Sequence, residues 1–111
     1  MTQTLPEFFP GFKKFHGIYV MRQTFEGTCA FLTGYETGSQ HFVLKQFHSW
    51  LVAQGKGRPE LSWPFLVLCE VYGDGAWPDL RYFSAEQDEA AVAVLFALLE
   101  EFFESQPGKD R

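Results

Sequence analysis

The hydrophobic pattern is clearest between Ser84 and Ser105. There Val92, Leu95, Phe96, Leu99, Phe102 and Phe103 recur at the i, i+3, i+4, i+7 spacing that lines one face of a helix. Ala90, Ala91, Ala93, Val94, Ala97 and Leu98 widen the stripe, and so broad an arc predicts a helix packed on two sides. Ser84 and Gln87 have the spacing of a capping box, and Glu86, Asp88 and Glu89 place negative charge at the positive end of the helix dipole. Glu100, Glu101 and Glu104 fall on the remaining polar strip. At about 1.5 Å of rise per residue this helix is roughly 30 Å long, the diameter of a small domain.

The pattern before it is more broken. Thr4 with Glu7 offers a capping box, but Pro10-Gly11 predicts an interruption, leaving Phe8, Phe9, Phe12 and Phe15 as an apolar face on either side of a break. Gly17 to Met21 reads as an extended linker tucked against the core. Thr24 caps a helix running to about Tyr35, with Phe25, Cys29, Phe31, Leu32 and Tyr35 inward, followed by a turn over residues 36–39. Gly27 and Gly34 lie on or near that helix and suggest a close backbone approach or a helix end. A third helix, about Gln40 to Gln54, turns Val43, Leu44, Phe47, Trp50 and Leu51 inward and stops at Gly55. Residues 55–59 form the most linker-like stretch, a candidate mobile surface loop. Residues 63–72 are apolar almost throughout, so periodicity alone does not separate buried helix from buried strand; Ser62 as a cap and Pro64 in the first turn favour helix. Gly73-Asp74-Gly75 ends that run, and residues 76–83 read as an irregular loop.

Composition adds little to the fold and something to the function. The 111 residues are one domain by size, with the first three and the last five expected to be loose. Aromatic residues make up 18% of the chain, which is high; most of them must be core, and any surplus on the surface favours a binding face. Charge divides unevenly, net +2 over residues 1–60 and net −7 over residues 61–111. An acidic half argues against nucleic acid as a partner and suits a basic protein. There is no signal peptide and no membrane-length apolar run, which points to a cytoplasmic protein with Cys29 and Cys69 as buried free thiols.

No residue grouping carries recognisable catalysis. His41 and His48, seven apart on one expected helix, share a face but lie about 10 Å apart, too far for a common metal ion. Neither cysteine has the electropositive setting of a nucleophile. Asp88/Glu89 and Glu100/Glu101 are adjacent on a helix and do not share a proton. No catalytic residue, metal ligand or cofactor is therefore assigned. Two groups of residues are candidates for binding a partner instead: Asp74, Trp77, Asp79 and Tyr82, which mix aromatics and charge on a loop, and Glu100 and Glu104 on the acidic strip. For Trp77 the competing expectation is that it folds back beside Pro78 to cap the core.

The order of landmarks also resembles a family of small bacterial proteins. Those proteins carry an Arg-Pro-Gly-Met-Tyr segment, a helix ending in Phe-Leu-x-Gly-Tyr, a Phe-x-x-Trp helix, a Trp-led helix and a last helix with Leu-Phe-x-Leu-Leu-x-Glu-Phe. Here Gly17-Ile18-Tyr19-Val20 stands at the first landmark, with Phe15-His16 in place of Arg-Pro. Ala30-Phe31-Leu32-Thr33-Gly34-Tyr35, Phe47-His48-Ser49-Trp50, Trp63-Pro64 and the stretch from Leu95 to Phe102 follow in order. The resemblance spans roughly residues 12–103. It implies an all-α fold and, for many such proteins, an immunity role beside a secreted toxin.

The combined expectation is an all-α single domain of four to five helices around a long C-terminal helix, working as a non-catalytic protein-binding module. The partner expected is a basic toxin domain, with no nucleic acid and no membrane. Two alternatives stand beside it, a self-associating homodimer or adaptor and a small enzyme with a cryptic Cys/His site.

Overall fold

A long helix needs a fixed start, and residue 84 supplies it. In the structure, a computed structural model that describes residues 3–21, 23–39, 42–55, 58–73 and 77–106, the Ser84 hydroxyl accepts the Gln87 amide at 3.1 Å. The Gln87 side chain returns the bond to the Ser84 amide at 2.8 Å. The helix so capped runs Ala85–Ser105 and is labelled α6. Before it come α1 (Leu5–Lys14), α2 (His16–Tyr19), α3 (Phe25–Ser39), α4 (Val43–Ala53), α5 (Trp63–Tyr72) and a short 3-10 turn, Leu80–Tyr82. The described residues contain no strand, and none of their helices is long and apolar enough to cross a membrane.

The six large stripe residues of α6, from Val92 to Phe103, are all buried, joined by Ala91 and Leu98. Helices α3, α4 and α5 pack against α6, and the Phe9 ring of α1 meets Phe96 and Phe103 edge-on at 5.3 and 5.5 Å. The two-sided packing expected from the broad stripe is present. The alanines differ, however: Ala90, Ala93 and Ala97 are exposed. Steps of three and four carry residue 90 to 93, 97, 100, 101 and 104, so these alanines belong to the glutamate strip rather than to the core.

Helix α1 is unbroken across Pro10-Gly11, where the sequence predicted an interruption. Proline there removes one backbone bond and costs about 3 kcal/mol. Buried Leu5, Phe9 and Phe12 flank it, and at about 1.5–3 kcal/mol each they outweigh that cost while Pro10 faces solvent. The Glu7 carboxylate accepts the Thr4 amide at 2.8 Å, as the capping box required. Gly17 to Tyr19, the first part of the stretch expected as extended linker, instead form the α2 turn with His16, and Phe15 is exposed rather than part of the inward face.

Helix α3 runs four residues past the expected end, through the predicted turn at 36–39. Gly34 sits within it with open space where a side chain would be, so neither a close approach nor a helix end explains it. Gly27 does mark an end, since its amide bonds to the Thr24 hydroxyl at 2.9 Å. Helix α4 begins at Val43 because a carboxylate from α3 caps it: Glu36, buried at 6% exposure, accepts the Leu44 amide at 2.7 Å. Phe42 enters that helix in the left-handed region at φ 57°. Gly55 and Gly73, both at positive φ, close α4 and α5 where a side chain would be strained. Residues 63–72 are helical, with Trp63, Leu66, Val67 and Leu68 buried.

Candidate protein-binding surfaces

The predicted site residues fall at separate places. Glu100 and Glu104 lie on the outer strip of α6, where it runs beside α4 and forms a shallow groove of about 660 Å³. Its lining is Trp50 and Gln54 from α4 with Ala97, Glu100, Glu101, Glu104 and Ser105 from α6. Trp50 is held from behind by Phe47 and Phe102, at ring separations of 6.2 and 5.7 Å, so the half-buried indole is a fixed floor. Ala97 on the glutamate strip leaves the groove open beneath the carboxylates. The Lys13 ammonium of α1 bonds to both Glu100 oxygens, at 3.0 and 3.1 Å, in a pair half open to solvent. Such a pair is worth at most about 1 kcal/mol.

The loop after α5 is organised differently. Asp74 lies outside the described residues. Trp77 turns inward, half-buried and stacked on Phe65 at 5.7 Å, which places it with the core, as the competing expectation held. Asp79 accepts the Arg81 amide at 2.9 Å to start the 3-10 turn, and its carboxylate chelates the Arg81 guanidinium at 2.8 and 3.2 Å. Those hydrogen bonds from Arg81 hold the Asp79 carboxyl at about 2, well below its ordinary value. Arg81 in turn lies 5.5 Å from the Tyr82 ring, which is 75% exposed. The outward face of this loop is thus an aromatic ring beside a matched charge pair.

The histidines have structural partners. His16 Nε2 lies 2.9 Å from the Thr28 hydroxyl, which itself donates to the Thr24 carbonyl at 2.7 Å. Thr28 has one hydroxyl proton, already used, so His16 Nε2 carries the donated proton. Burial between Phe12 and Phe96 lowers the His16 pKa. His48 Nε2 donates to the Leu61 carbonyl at 2.8 Å. His41 lies outside the described residues. Cys29 and Cys69 are both free thiols, Cys29 buried and Cys69 half-buried; burial pushes the Cys29 thiol far up, the direction opposite to nucleophilic activation. Among the described residues no three His, Cys, Asp or Glu side chains are grouped to hold a metal ion.

A cleft of about 380 Å³ between α2, α3 and α6 joins His16 to Gln23, Thr24, Ala85, Asp88, Glu89 and Val92. Its polar centre is occupied structurally, because Asp88 Oδ1 accepts the Phe25 amide at 2.8 Å and so caps α3 from the first turn of α6.

One surface was not expected from the sequence. Phe15, Ile18, Tyr19 and Met21 are exposed around α2. The signal was present, since Phe15, Ile18 and Tyr19 are spaced i, i+3, i+4, but it becomes a face only once this short stretch is helical. No protein family, curated protein or solved structure matches this chain.

Proposed function

We propose that the protein is a non-catalytic binding module of the immunity type, which neutralises a basic toxin domain in the cytoplasm. The observation that supports this reading is the groove between α4 and α6, with an indole floor and a rim of Glu100, Glu101 and Glu104. A flat aromatic beneath carboxylates suits a guanidinium or ammonium group, which gains from the ring face and from the charges together. Lys13 on Glu100 already shows the pairing in miniature, and an incoming arginine would displace it. A net charge of −5 steers a basic partner toward the surface and raises its association rate. Blockade is then steric, with the partner's basic surface covered rather than chemically altered. The resemblance to small immunity-like proteins points the same way.

The test is calorimetric titration against toxin-like products of the neighbouring genes. Binding is expected to weaken steeply as salt rises. The double substitution Glu100→Lys with Glu104→Lys is expected to weaken it at least tenfold, with thermal stability lowered by no more than about 1 kcal/mol. Unchanged affinity in that variant removes the groove from the binding surface.

A further inference from the structure

Four large apolar side chains are exposed within seven residues: Phe15 at 47%, Ile18 at 74%, Tyr19 at 41% and Met21 at 93%. The Ile18 and Tyr19 amides both bond back to the Phe15 carbonyl, so Phe15, Ile18 and Tyr19 share the outer face of α2. This face is anchored. The Tyr19 ring meets Phe8, Phe12 and Phe31 at 5.1, 5.8 and 5.8 Å, and Phe8 stacks on Tyr35 at 4.4 Å. The exposed fractions amount to about two and a half fully exposed large side chains, roughly 500 Å² at about 200 Å² each. That matches the largest apolar patch of a typical monomer, which is commonly functional.

We infer that this face pairs with the same face of a second copy, forming a two-fold symmetric dimer. Area is the first reason. Two such patches bury about 1,000 Å² together, the lower limit for a specific interface. Charge is the second. A two-fold interface sets every charge near its own image, so a strongly single-signed surface repels itself. From Phe15 to Met21 the chain has no Asp, Glu, Lys or Arg. Cations flank the segment: Lys14, whose ammonium lies 5.4 Å from the Phe15 ring, Lys13, which is paired with Glu100, and Arg22, next in sequence after Met21. A basic partner finds no carboxylate on this segment. A lipid surface fits less well, because four helical residues make too small an amphipathic face.

The dimer has an electrostatic signature of its own. Two protomers of net −5 repel, so salt tightens their association, whereas salt weakens the binding of a basic partner in the α4–α6 groove. The two readings therefore fail independently.

Sedimentation equilibrium of the full chain from micromolar to millimolar concentration tests the inference. The mass is expected to rise toward two chains with micromolar or weaker affinity, tightening severalfold as salt increases. Ile18→Glu with Met21→Glu, at two solvent-facing positions, is expected to weaken the dimer at least about tenfold with the helical circular dichroism unchanged. Three results would overturn the inference: one-chain mass throughout the range, a dimer that survives this double substitution, or a dimer that salt weakens. Flotation of a monomeric wild type with phosphatidylcholine/phosphatidylglycerol vesicles, lost in the double variant, would overturn it in favour of a lipid surface.

Discussion

Replacing Asp88 with alanine separates what the acidic first turn of α6 does for the fold from any role in binding. Asp88 is half-buried, and its Oδ1 accepts the Phe25 amide at 2.8 Å, closing the start of α3 from another helix. Phe25 itself is fully buried, and its amide is met by the carboxylate that lines the cleft beside it. A bond of this kind to a charged acceptor contributes about 1.5–3 kcal/mol. The negative charge at the α3 N-terminus adds about 0.3–1 kcal/mol through the helix dipole, and Asp88 does the same for α6. Thr24 keeps its own bond to the Gly27 amide, so α3 is not left wholly uncapped. The net expectation for Asp88→Ala is a loss of about 2–3 kcal/mol. For a chain of this length that lowers Tm by about 8–12 °C in a circular dichroism melt. Asp88→Asn retains an acceptor without the charge and should lose about half as much. Glu89→Ala, exposed on the same turn, should stay within about 0.5 kcal/mol of wild type. If Asp88→Ala melted within 1–2 °C of wild type, the α3 start would have to be held by Thr24 alone, and the cross-helix cap would carry no stability.

The remaining predictions address the core, the strained entry to α4 and the half-buried imidazole of His16. Phe102→Ala, at 1% exposure between Phe47, Trp50 and Phe103, should cost about 3–5 kcal/mol by urea unfolding. Phe42→Gly should raise stability by about 0.5–1 kcal/mol, since Phe42 is 64% exposed and glycine accepts φ 57° without strain. A loss in that variant would mean that the ring's packing outweighs its backbone strain. His16 has a pKa lowered by burial, so below about pH 6.5 the unfolded chain binds a proton that the folded chain refuses. Its contribution to stability is therefore complete above that pH and lost as pH falls toward the folded value. Urea midpoints between about pH 7.5 and pH 5 should fall more steeply in wild type than in His16→Gln.

Much of the fold is legible in the sequence because its signals are local and agree with one another. In α6 the stripe, the Ser84–Gln87 cap and the acidic first turn all specify the same helix, and each is present. Helix starts fixed by a distant residue are not legible in this way. The onset of α4 depends on Glu36 from α3 and that of α3 partly on Asp88 from α6, so the sequence placed the α4 start three residues too early. Pro10 misled for a related reason. Its cost is local and visible, while the burial of Phe9 against Phe96 and Phe103 that offsets it is tertiary. The alanines of α6 misled because their size is compatible with either face. Among the site residues, the strip at Glu100 and Glu104 was readable from helical spacing, whereas the α2 patch depends on a four-residue helix too short to register as periodic.

The acidic residues divide by the work their position allows, and this division makes function separable from stability. Glu7, Glu36, Asp79 and Asp88 each accept a backbone amide at the start of a helix or helical turn. A carboxylate in that role has its geometry fixed by the chain it caps, so its replacement is felt as unfolding. Glu100, Glu101 and Glu104 sit in the second half of α6, beyond the first turn where negative charge favours the helix. Glu104 falls in the last turn, at the negative end of the dipole, where a carboxylate is unfavourable for the isolated helix, and the Lys13 ammonium meets Glu100 directly. On the proposed reading these carboxylates, set beside Trp50 and the exposed Ala97, serve a partner rather than the start of a helix. The same logic applies to Ile18 and Met21. Their exposure contributes nothing to the core, so substitutions there and on the α6 strip can probe two different associations in a chain that remains folded.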